Sequence, residues 1–229
     1  MKKRYAALIF CAIGLLLGSV TSEAKKKPSV TAESAIVMDV QSGAILYEKN
    51  IDKREYPASI TKVMTALVAI ENSSLSETVT YSRNAVTNLE SGASNIEIQP
   101  GEKLSMEDSL YAILLMSANE ACNGVAEHVA GSIDNFVAMM NQKAKELGCT
   151  GTNFANANGL WMSNHYTTAH DMALISQEAY KNPTFAKITG TKRYIINKTK
   201  KHAGISKDFF INYFTNHQDS YAIKFKTVL

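Results

Sequence analysis

The sequence predicts an α+β fold in which a block of helices covers a sheet. Strand patterns come first, at Ala35–Val40 and Ala44–Glu48, and are joined by a Gln41-Ser42-Gly43 turn. A helix-rich block then runs from Ser105 to Asn182, and strand patterns return near the end. Strands and helices that are segregated along a chain, rather than alternating, are typical of this class.

Composition and charge are those of one ordinary globular domain. The chain has 229 residues, 45% hydrophobic and 20% charged, which suits one domain with one core. The formal net charge is +3, and Lys2, Lys3 and Arg4, less Glu23, supply +2 of it. The rest is close to neutral, so no nucleic-acid partner is expected.

The first 24 residues have the pattern of a signal peptide. Their basic start precedes an apolar run, Tyr5 to Val20, that is short for a membrane span of about 20 residues. Ser22 and Ala24 are small residues at the positions that signal peptidase recognises, which predicts cleavage after Ala24. We therefore expect an exported protein of the cell envelope or extracellular space, with 25–229 as its folded domain. An uncleaved anchor is the alternative.

Cysteines and histidines predict neither a disulfide nor a metal site. Cys122 and Cys149 lie in apolar helical contexts, where free buried thiols are common. His165, His170 and Asp171 lack the spacing of a metal site, and a capping or packing role is expected for them.

Capping residues mark the predicted helices. A first helix, Thr61–Ile70, carries apolar residues at helical spacing just after Pro57. Short strands are expected across Val79–Gln99. In the helical block, starts are predicted at Ser105, Ser132 and Thr168 and stops at Gly131, Gly148 and before Pro183.

The most informative stretch is Pro57-Ala58-Ser59-Ile60-Thr61-Lys62. Ser59 and Lys62 lie three residues apart at a helix start, so their side chains share one face near free N–H groups. A serine becomes a nucleophile when a base removes its proton, and a lysine is a base where its surroundings favour the neutral form. Alone, the pattern is more often a capping serine followed by an exposed lysine.

Ser117 and Asn119 add a second polar pair, in a break between two apolar helical stretches. Both can face one cleft, with Ser117 relaying a proton between Lys62 and a leaving group. Asn119 can orient Lys62 and bind a substrate carbonyl. S-x-x-K followed about 55 residues later by S-x-N is found in penicillin-binding proteins, and S-x-x-K also in class A β-lactamases.

The surrounding sequence resembles the low-molecular-mass penicillin-binding proteins, which are serine D-alanyl-D-alanine carboxypeptidases. The similarity extends over about residues 30 to 195, in blocks such as PASITKVMTAL, LLMSANEA, NGL and HYTTAHD. It implies the penicillin-binding-protein/β-lactamase-like transpeptidase fold, with a helical block over an antiparallel sheet.

The resemblance also implies a two-step reaction on peptidoglycan. Ser59 attacks the carbonyl between the two terminal D-alanines of a stem peptide, D-alanine leaves, and water hydrolyses the acyl-enzyme. Lys62 is then the general base and Ser117 the proton relay, with Asn119 beside it. β-Lactams mimic the substrate and acylate Ser59, and no metal or cofactor is expected.

The end of the chain departs from the family pattern. The third motif, Lys-Thr-Gly on a strand lining the cleft, corresponds only to Lys226-Thr227-Val228, and residues 199–229 are atypical. We therefore expect a truncated member with an incomplete sheet and no C-terminal membrane anchor. Little turnover is expected, because losing one oxyanion donor costs about 3–4 kcal/mol.

Two other interpretations stay open. One is an inactive, truncated penicillin-binding or peptidoglycan-binding module, which binds stem peptides without a covalent adduct. The other is a class A-like β-lactamase, which would have aspartate where this chain has Ala118, and a glutamate-bearing loop.

Overall fold

The centre of the fold is a helix that is buried on all sides. A computed structural model describes residues 29–87, 89–196 and 199, together with the backbone of 222–223. Helix α1 (Lys62–Asn72) is buried from Lys62 through Ala69, because apolar residues and alanines cover its whole circumference. The predicted signal peptide and the predicted Lys226-Thr227 motif lie outside the described residues.

Further helices follow α1 in the described part of the chain. They are α2 (Arg83–Thr87), α3 (Met106–Met116), α4 (Asn119–Ala130), α5 (Ile133–Glu146), α6 (Ala169–Lys181) and α7 (Pro183–Gly190). Helices α3 to α7 all contact α1. The core between them includes the fully buried rings of Phe136, Phe154 and Phe185.

Side chains cap three of these helices where the sequence predicts. The hydroxyls of Ser105, Ser132 and Thr168 each accept a hydrogen bond from the backbone N–H three residues later. Gly131 and Gly148, with φ of +75° and +80°, follow the ends of α4 and α5, as helix-terminating glycines do. The predicted boundaries of α3 to α6 are therefore confirmed to within about two residues.

Helix α7 was not predicted from the sequence, in which Pro183 indicated only the end of α6. In the structure Pro183 is also the first residue of the next helix, and the Asn182 side chain caps it by accepting from the Thr184 N–H at 2.9 Å. Proline is favoured at this position because its missing N–H would have no helical partner there.

An antiparallel sheet lies against α6. Strands β1 (Ala35–Met38) and β2 (Ile45–Lys49) form the predicted hairpin, with a register shift between Val37 and Met38. On its other edge, β1 pairs with the two-residue strand Ala222–Ile223. Ile36 of β1 packs on Ala169 and Ala173 of α6, so helices cover a sheet as predicted.

The segment before α3 is less regular than predicted. Thr78–Thr80 and Lys103–Ser105 pair as short antiparallel strands, but within 89–99 the structure has no strand. The expectation of strands across Val79–Gln99 is therefore wrong beyond Thr80. Ile96 and Ile98 are both buried, as in a strand, but Glu97 between them has a φ of +64°, which regular strands do not adopt.

The two cysteines among the described residues are packing residues. The thiols of Cys122 and Cys149 are free and buried, and burial raises the pKa of each to about 12. Such thiols are protonated and unreactive near neutral pH. Over the described ranges, no helix has the length and apolar character needed to cross a membrane.

Replacing Asn182 with alanine is expected to lower the free energy of unfolding by about 1 kcal/mol, because α7 loses its capping oxygen. Asn182→Asp is the matched control, since it keeps an acceptor at the same place. Urea denaturation followed by circular dichroism measures both. Equal stability of the alanine variant and the wild type would show that the Asn182 cap does not stabilise α7.

Candidate active site

Ser59 lies just before the N-terminus of the buried helix α1. It lies on a 3-10 turn, Ala58–Thr61, that runs directly into α1. Ala58 has a φ of +48°, a left-handed conformation that costs an L-residue about 1–2 kcal/mol, and the Ser59 side chain after it is exposed. No acceptor within the described residues binds the Ser59 N–H, so this donor is available to a ligand oxygen.

Lys62 is buried next to this serine. The residue is only 3% exposed, although it lies on the turn that follows an exposed side chain. Its Nζ is 2.5 Å from the backbone carbonyl of Asn158, 2.8 Å from Asn119 Oδ1 and 3.4 Å from Ser59 Oγ. The amine is therefore surrounded by oxygen atoms.

These three oxygens differ in the hydrogen bonds that they can make. The carbonyl oxygens of Asn158 and Asn119 only accept, whereas the Ser59 hydroxyl can also donate. A neutral amine has two N–H donors and one lone pair. It therefore satisfies both carbonyls and still accepts the proton of Ser59, so the geometry fits the base form of Lys62.

Burial favours the same form. Desolvation lowers the pKa of Lys62 below its ordinary value of 10.5, and Coulombic interactions with Cys122 and Glu120 oppose this shift without cancelling it. The sign follows from charge, because removing a cation from water favours its neutral form. Lys62 therefore releases its proton nearer to neutral pH than a lysine in water does.

Ser117 and Asn119 lie at the predicted break in the helical block. Helix α3 ends at Met116 and α4 begins at Asn119, and Ser117 between them has a φ of +56°. The Ser117 hydroxyl is 3.0 Å from Ser59 Oγ. Ser117 thus connects to Lys62 through the Ser59 hydroxyl, and the structure brings all four predicted site residues into one hydrogen-bonded chain.

The Asn119 amide is oriented from both ends. Its Nδ2 donates to the Ser94 carbonyl at 2.9 Å while its Oδ1 faces Lys62. Because the two ends of an amide need opposite partners, these contacts decide which end is oxygen. The backbone N–H of Asn119 also donates to the Ser94 carbonyl, so the loop that contains Ser94 sets the direction of Asn119.

Asn158 and Gly159 are site residues that the sequence indicated only as part of the NGL block of the family resemblance, with no role assigned to either. Asn158 binds Lys62 through its backbone, which leaves no side-chain signature in a sequence. Gly159 has a φ of +85°, and a Cβ on it would lie 2.0 Å from the carbonyl oxygen of Ala58. The Tyr56 hydroxyl donates to the Gly159 carbonyl at 2.5 Å. The Asn-Gly dipeptide, typical of tight turns, is the available sequence signal.

Polar residues at the start of α1 hold the segment that contains Asn158. Thr65 donates to the Ala157 carbonyl at 2.6 Å, and Thr61 Oγ1 lies 2.8 Å from His165 Nε2. The Ala155 N–H donates to His165 Nδ1, so the neutral ring carries its proton on Nε2 and donates it to Thr61. Burial lowers the pKa of His165 to about 4, so this contact persists at neutral pH.

His170 and Asp171, the other two residues weighed as metal ligands, have separate structural partners. His170 Nδ1 lies 3.6 Å from the exposed Asp52 carboxylate. Asp171 accepts hydrogen bonds from the Gly151 N–H and the Thr152 hydroxyl. Among the described residues, no group of three acidic, histidine or cysteine side chains is placed to hold a metal ion.

The chain is similar in sequence to known proteins. The family model described as D-alanyl-D-alanine carboxypeptidase, peptidase S11, matches residues 21–216. The D-alanyl-D-alanine carboxypeptidase DacF of Bacillus subtilis is 36% identical over 211 residues, which cover 87% of this chain and 54% of DacF. The chain spans about half the length of the curated relatives that it matches.

Solved structures share the fold. Penicillin binding protein 5 from Haemophilus influenzae superposes with a TM-score of 0.71 at 33% identity, over 76% of this chain and 52% of that one. The D-alanyl-D-alanine carboxypeptidase from Mycobacterium tuberculosis H37Rv gives 0.73 at 32% identity, over 81% and 69%. The predicted fold class, that of the penicillin-binding proteins, is therefore confirmed.

An α+β fold with a serine and a buried lysine at the start of its central helix is the framework of a serine acyl-transfer enzyme. Within that class, the chain belongs to the D-alanyl-D-alanine carboxypeptidase family. The β-lactamase alternative is not favoured, because the matching relatives are carboxypeptidases and Ala118 occupies the place of its aspartate.

Replacing Gly159 with alanine is expected to destabilise the protein by about 2–5 kcal/mol. About 1–2 kcal/mol comes from the left-handed backbone, and about 1–3 kcal/mol from the clash with the Ala58 carbonyl. Urea denaturation measures the loss. Gly148→Ala is the control, because Gly148 has a φ of +80° but no atom within 4 Å of an added Cβ. Equal losses in both variants would show that Gly159 does not support the Ser59 turn.

Proposed function

We propose that this chain performs the acyl-enzyme chemistry of a D-alanyl-D-alanine carboxypeptidase, removing the terminal D-alanine from peptidoglycan stem peptides during cell-wall remodelling. The observation that carries the proposal is the buried Lys62 amine. Two carbonyl oxygens occupy two of its hydrogen-bonding directions and Ser59 Oγ lies in the third at 3.4 Å, the direction left for the lone pair when the amine is neutral. A base in this position activates a serine.

Ser59 is the nucleophile of the first half-reaction. Lys62 takes the hydroxyl proton as Ser59 Oγ bonds to the carbonyl carbon of the penultimate D-alanine. The Ser59 N–H donates to the oxyanion that forms. The separation of 3.4 Å between Nζ and Oγ is long for a hydrogen bond, and such contacts commonly tighten when substrate binds.

Ser117 completes the path of the proton. From Lys62 the proton moves through the hydroxyl network to the nitrogen of the leaving D-alanine, and the C–N bond breaks. The 3.0 Å contact between Ser117 and Ser59 supports this route. Water then attacks the ester carbonyl and gives a proton to Lys62. The bond between the acyl carbon and Ser59 Oγ breaks, Lys62 returns the proton to Ser59, and the shortened peptide departs. Asn119 holds Lys62 throughout; it is only 3% exposed and both ends of its amide have partners within the protein, so we assign it the orientation of Lys62 and no contact with substrate.

β-Lactams enter the same chemistry. Their strained amide resembles the scissile bond, so attack by Ser59 opens the ring and leaves the serine acylated. A solved neighbour is itself named a penicillin binding protein.

The proposed reaction takes place beyond the cytoplasmic membrane. Residues 1–24 have the charge and hydropathy pattern of a signal peptide, which directs export. Residues 25–229 are then the catalytic domain, in the cell envelope or the extracellular space, where stem peptides are found.

Intact-mass analysis after benzylpenicillin treatment tests the nucleophile. We expect one covalent adduct on the wild type and none on Ser59→Ala, because that variant lacks the attacking oxygen. Ser163→Ala, which changes an exposed serine that is not one of the four hydrogen-bonded site residues, is the control and should acquire the adduct. A wild type without adduct, or an equal adduct on Ser59→Ala, would contradict the proposal.

A second assay separates peptidase activity from penicillin binding. Release of D-alanine is measured from a tripeptide ending in D-Ala-D-Ala and from its D-Ala-L-Ala analogue. Release from the first alone, at a low rate and abolished in Ser59→Ala, is expected. A penicillin adduct without any D-alanine release would overturn the proposed carboxypeptidase activity while keeping Ser59 as the nucleophile.

A further inference from the structure

Glu120 is a buried acid that the steps above do not use. It follows Asn119 on the first turn of α4 and is 1% exposed. Its Oε1 accepts from the Ile96 N–H at 2.6 Å, but its buried Oε2 has no hydrogen-bond partner among the described residues. An unpaired buried polar atom costs about 1–3 kcal/mol, more if charged, so its retention calls for an explanation.

Glu120 anchors the loop formed by residues 93–98, which we call the 93–98 loop. The backbone N–H groups of Ile96, Ile98 and Glu97 all favour its carboxylate. Glu97 has a φ of +64°, which turns successive N–H groups toward one side, as in the nests that bind anions. Ile96 and Ile98 are buried on either side of it. One carboxylate therefore fixes this loop on α4.

The 93–98 loop in turn positions the catalytic lysine. Its Ser94 carbonyl accepts from both the backbone N–H and the Nδ2 of Asn119. Asn119 then presents Oδ1 to Lys62 at 2.8 Å. A displacement of the loop would therefore release one of the two carbonyls that hold the Lys62 amine.

Glu120 also acts on Lys62 through its charge. Its Coulombic attraction raises the pKa of Lys62 against the effect of burial. The other titratable groups that face this pair are Cys122 on α4 and Tyr81, and burial raises the pKa of both, that of Cys122 to about 12. Both are uncharged near neutral pH, so Glu120 is the charge that faces Lys62 when it becomes protonated.

The surroundings of Glu120 fit its ionised form. Burial raises the pKa of Glu120 above its ordinary value, and the backbone N–H groups of Ile96, Glu120 itself, Ile98 and Glu97 oppose that rise without cancelling it. A proton on Oε2 would have no acceptor among the described residues, whereas Oε1 already accepts a hydrogen bond. The position on the first turn of α4 adds the favourable field of a helix N-terminus.

We propose that Glu120 is a positioning residue for acylation: its carboxylate fixes Asn119 through the 93–98 loop, and its negative charge stabilises Lys62 in the protonated state that forms when Ser59 attacks. The inference rests on the proposed function, because it concerns the step in which Ser59 is acylated. It assigns Glu120 no contact with substrate.

The pH dependence of Ser59 acylation by a fluorescent penicillin tests this role. For Glu120→Gln, the acid limb of the rate profile should move to lower pH by on the order of one unit, because Lys62 loses its anionic neighbour. The plateau rate should fall about tenfold, since a weaker base accepts the proton less readily. Glu127→Gln, which changes a half-buried acid near the other end of the same helix, should retain the wild-type profile.

Glu120→Asp separates charge from anchoring and serves as the test should Glu120→Gln fail to fold in a thermal melt. It keeps the charge but shortens the anchor, so its acid limb should stay near that of the wild type while its plateau falls. The inference is overturned if the acid limb of the Glu120→Gln rate profile superimposes on that of the wild type. It is also overturned if the acid limb of Glu120→Asp shifts as far as that of Glu120→Gln. If wild-type Ser59 is not acylated, the proposed function itself fails.

Discussion

A lysine amine that is removed from water has to find oxygen acceptors that the protein holds in place. Lys62 enters the core on α1, a helix whose other buried side chains are mostly apolar. Its two fixed acceptors come from elsewhere in the chain, the carbonyl of Asn158 and the amide oxygen of Asn119. Ser59 Oγ lies in the remaining hydrogen-bonding direction of the amine. The same arrangement therefore gives the buried amine its hydrogen-bond partners and places it to activate the serine.

Two polar segments meet this requirement on opposite sides of the amine. The 93–98 loop sets Asn119 through the Ser94 carbonyl. The segment before α6 supplies Asn158 and is tied to α1 by Thr61 and Thr65. Because both are irregular backbone, their positions depend on hydrogen bonds to buried groups, Glu120 for one and His165 for the other. The positions of the Lys62 hydrogen-bond acceptors therefore depend on loops that the helical block holds in place.

Local signals in the sequence were sufficient to predict the helices around the site and the site residues that have reactive side chains. Hydroxyl caps and glycine stops located α3 to α6, and the motif pairs placed Ser59, Lys62, Ser117 and Asn119 together. Features carried by backbone were missed, because a carbonyl ligand such as that of Asn158 has no residue-type signature. Short strands were expected across Val79–Gln99, but in the structure the Ile96 N–H donates to the Glu120 carboxylate instead of to a neighbouring strand. That interaction depends on a residue more than 20 positions away in sequence.

The protonation state of Lys62 is the central claim, and a side-chain NMR titration measures it directly. With ¹³C,¹⁵N-labelled lysine, the signal of Lys62 is assigned by its loss in Lys62→Met, an apolar replacement of similar length. The account predicts that this signal titrates at a midpoint below the ordinary value of 10.5, while exposed lysines titrate near it. A Lys62 midpoint at or above that of the exposed lysines would contradict the claim that the amine is held as a base.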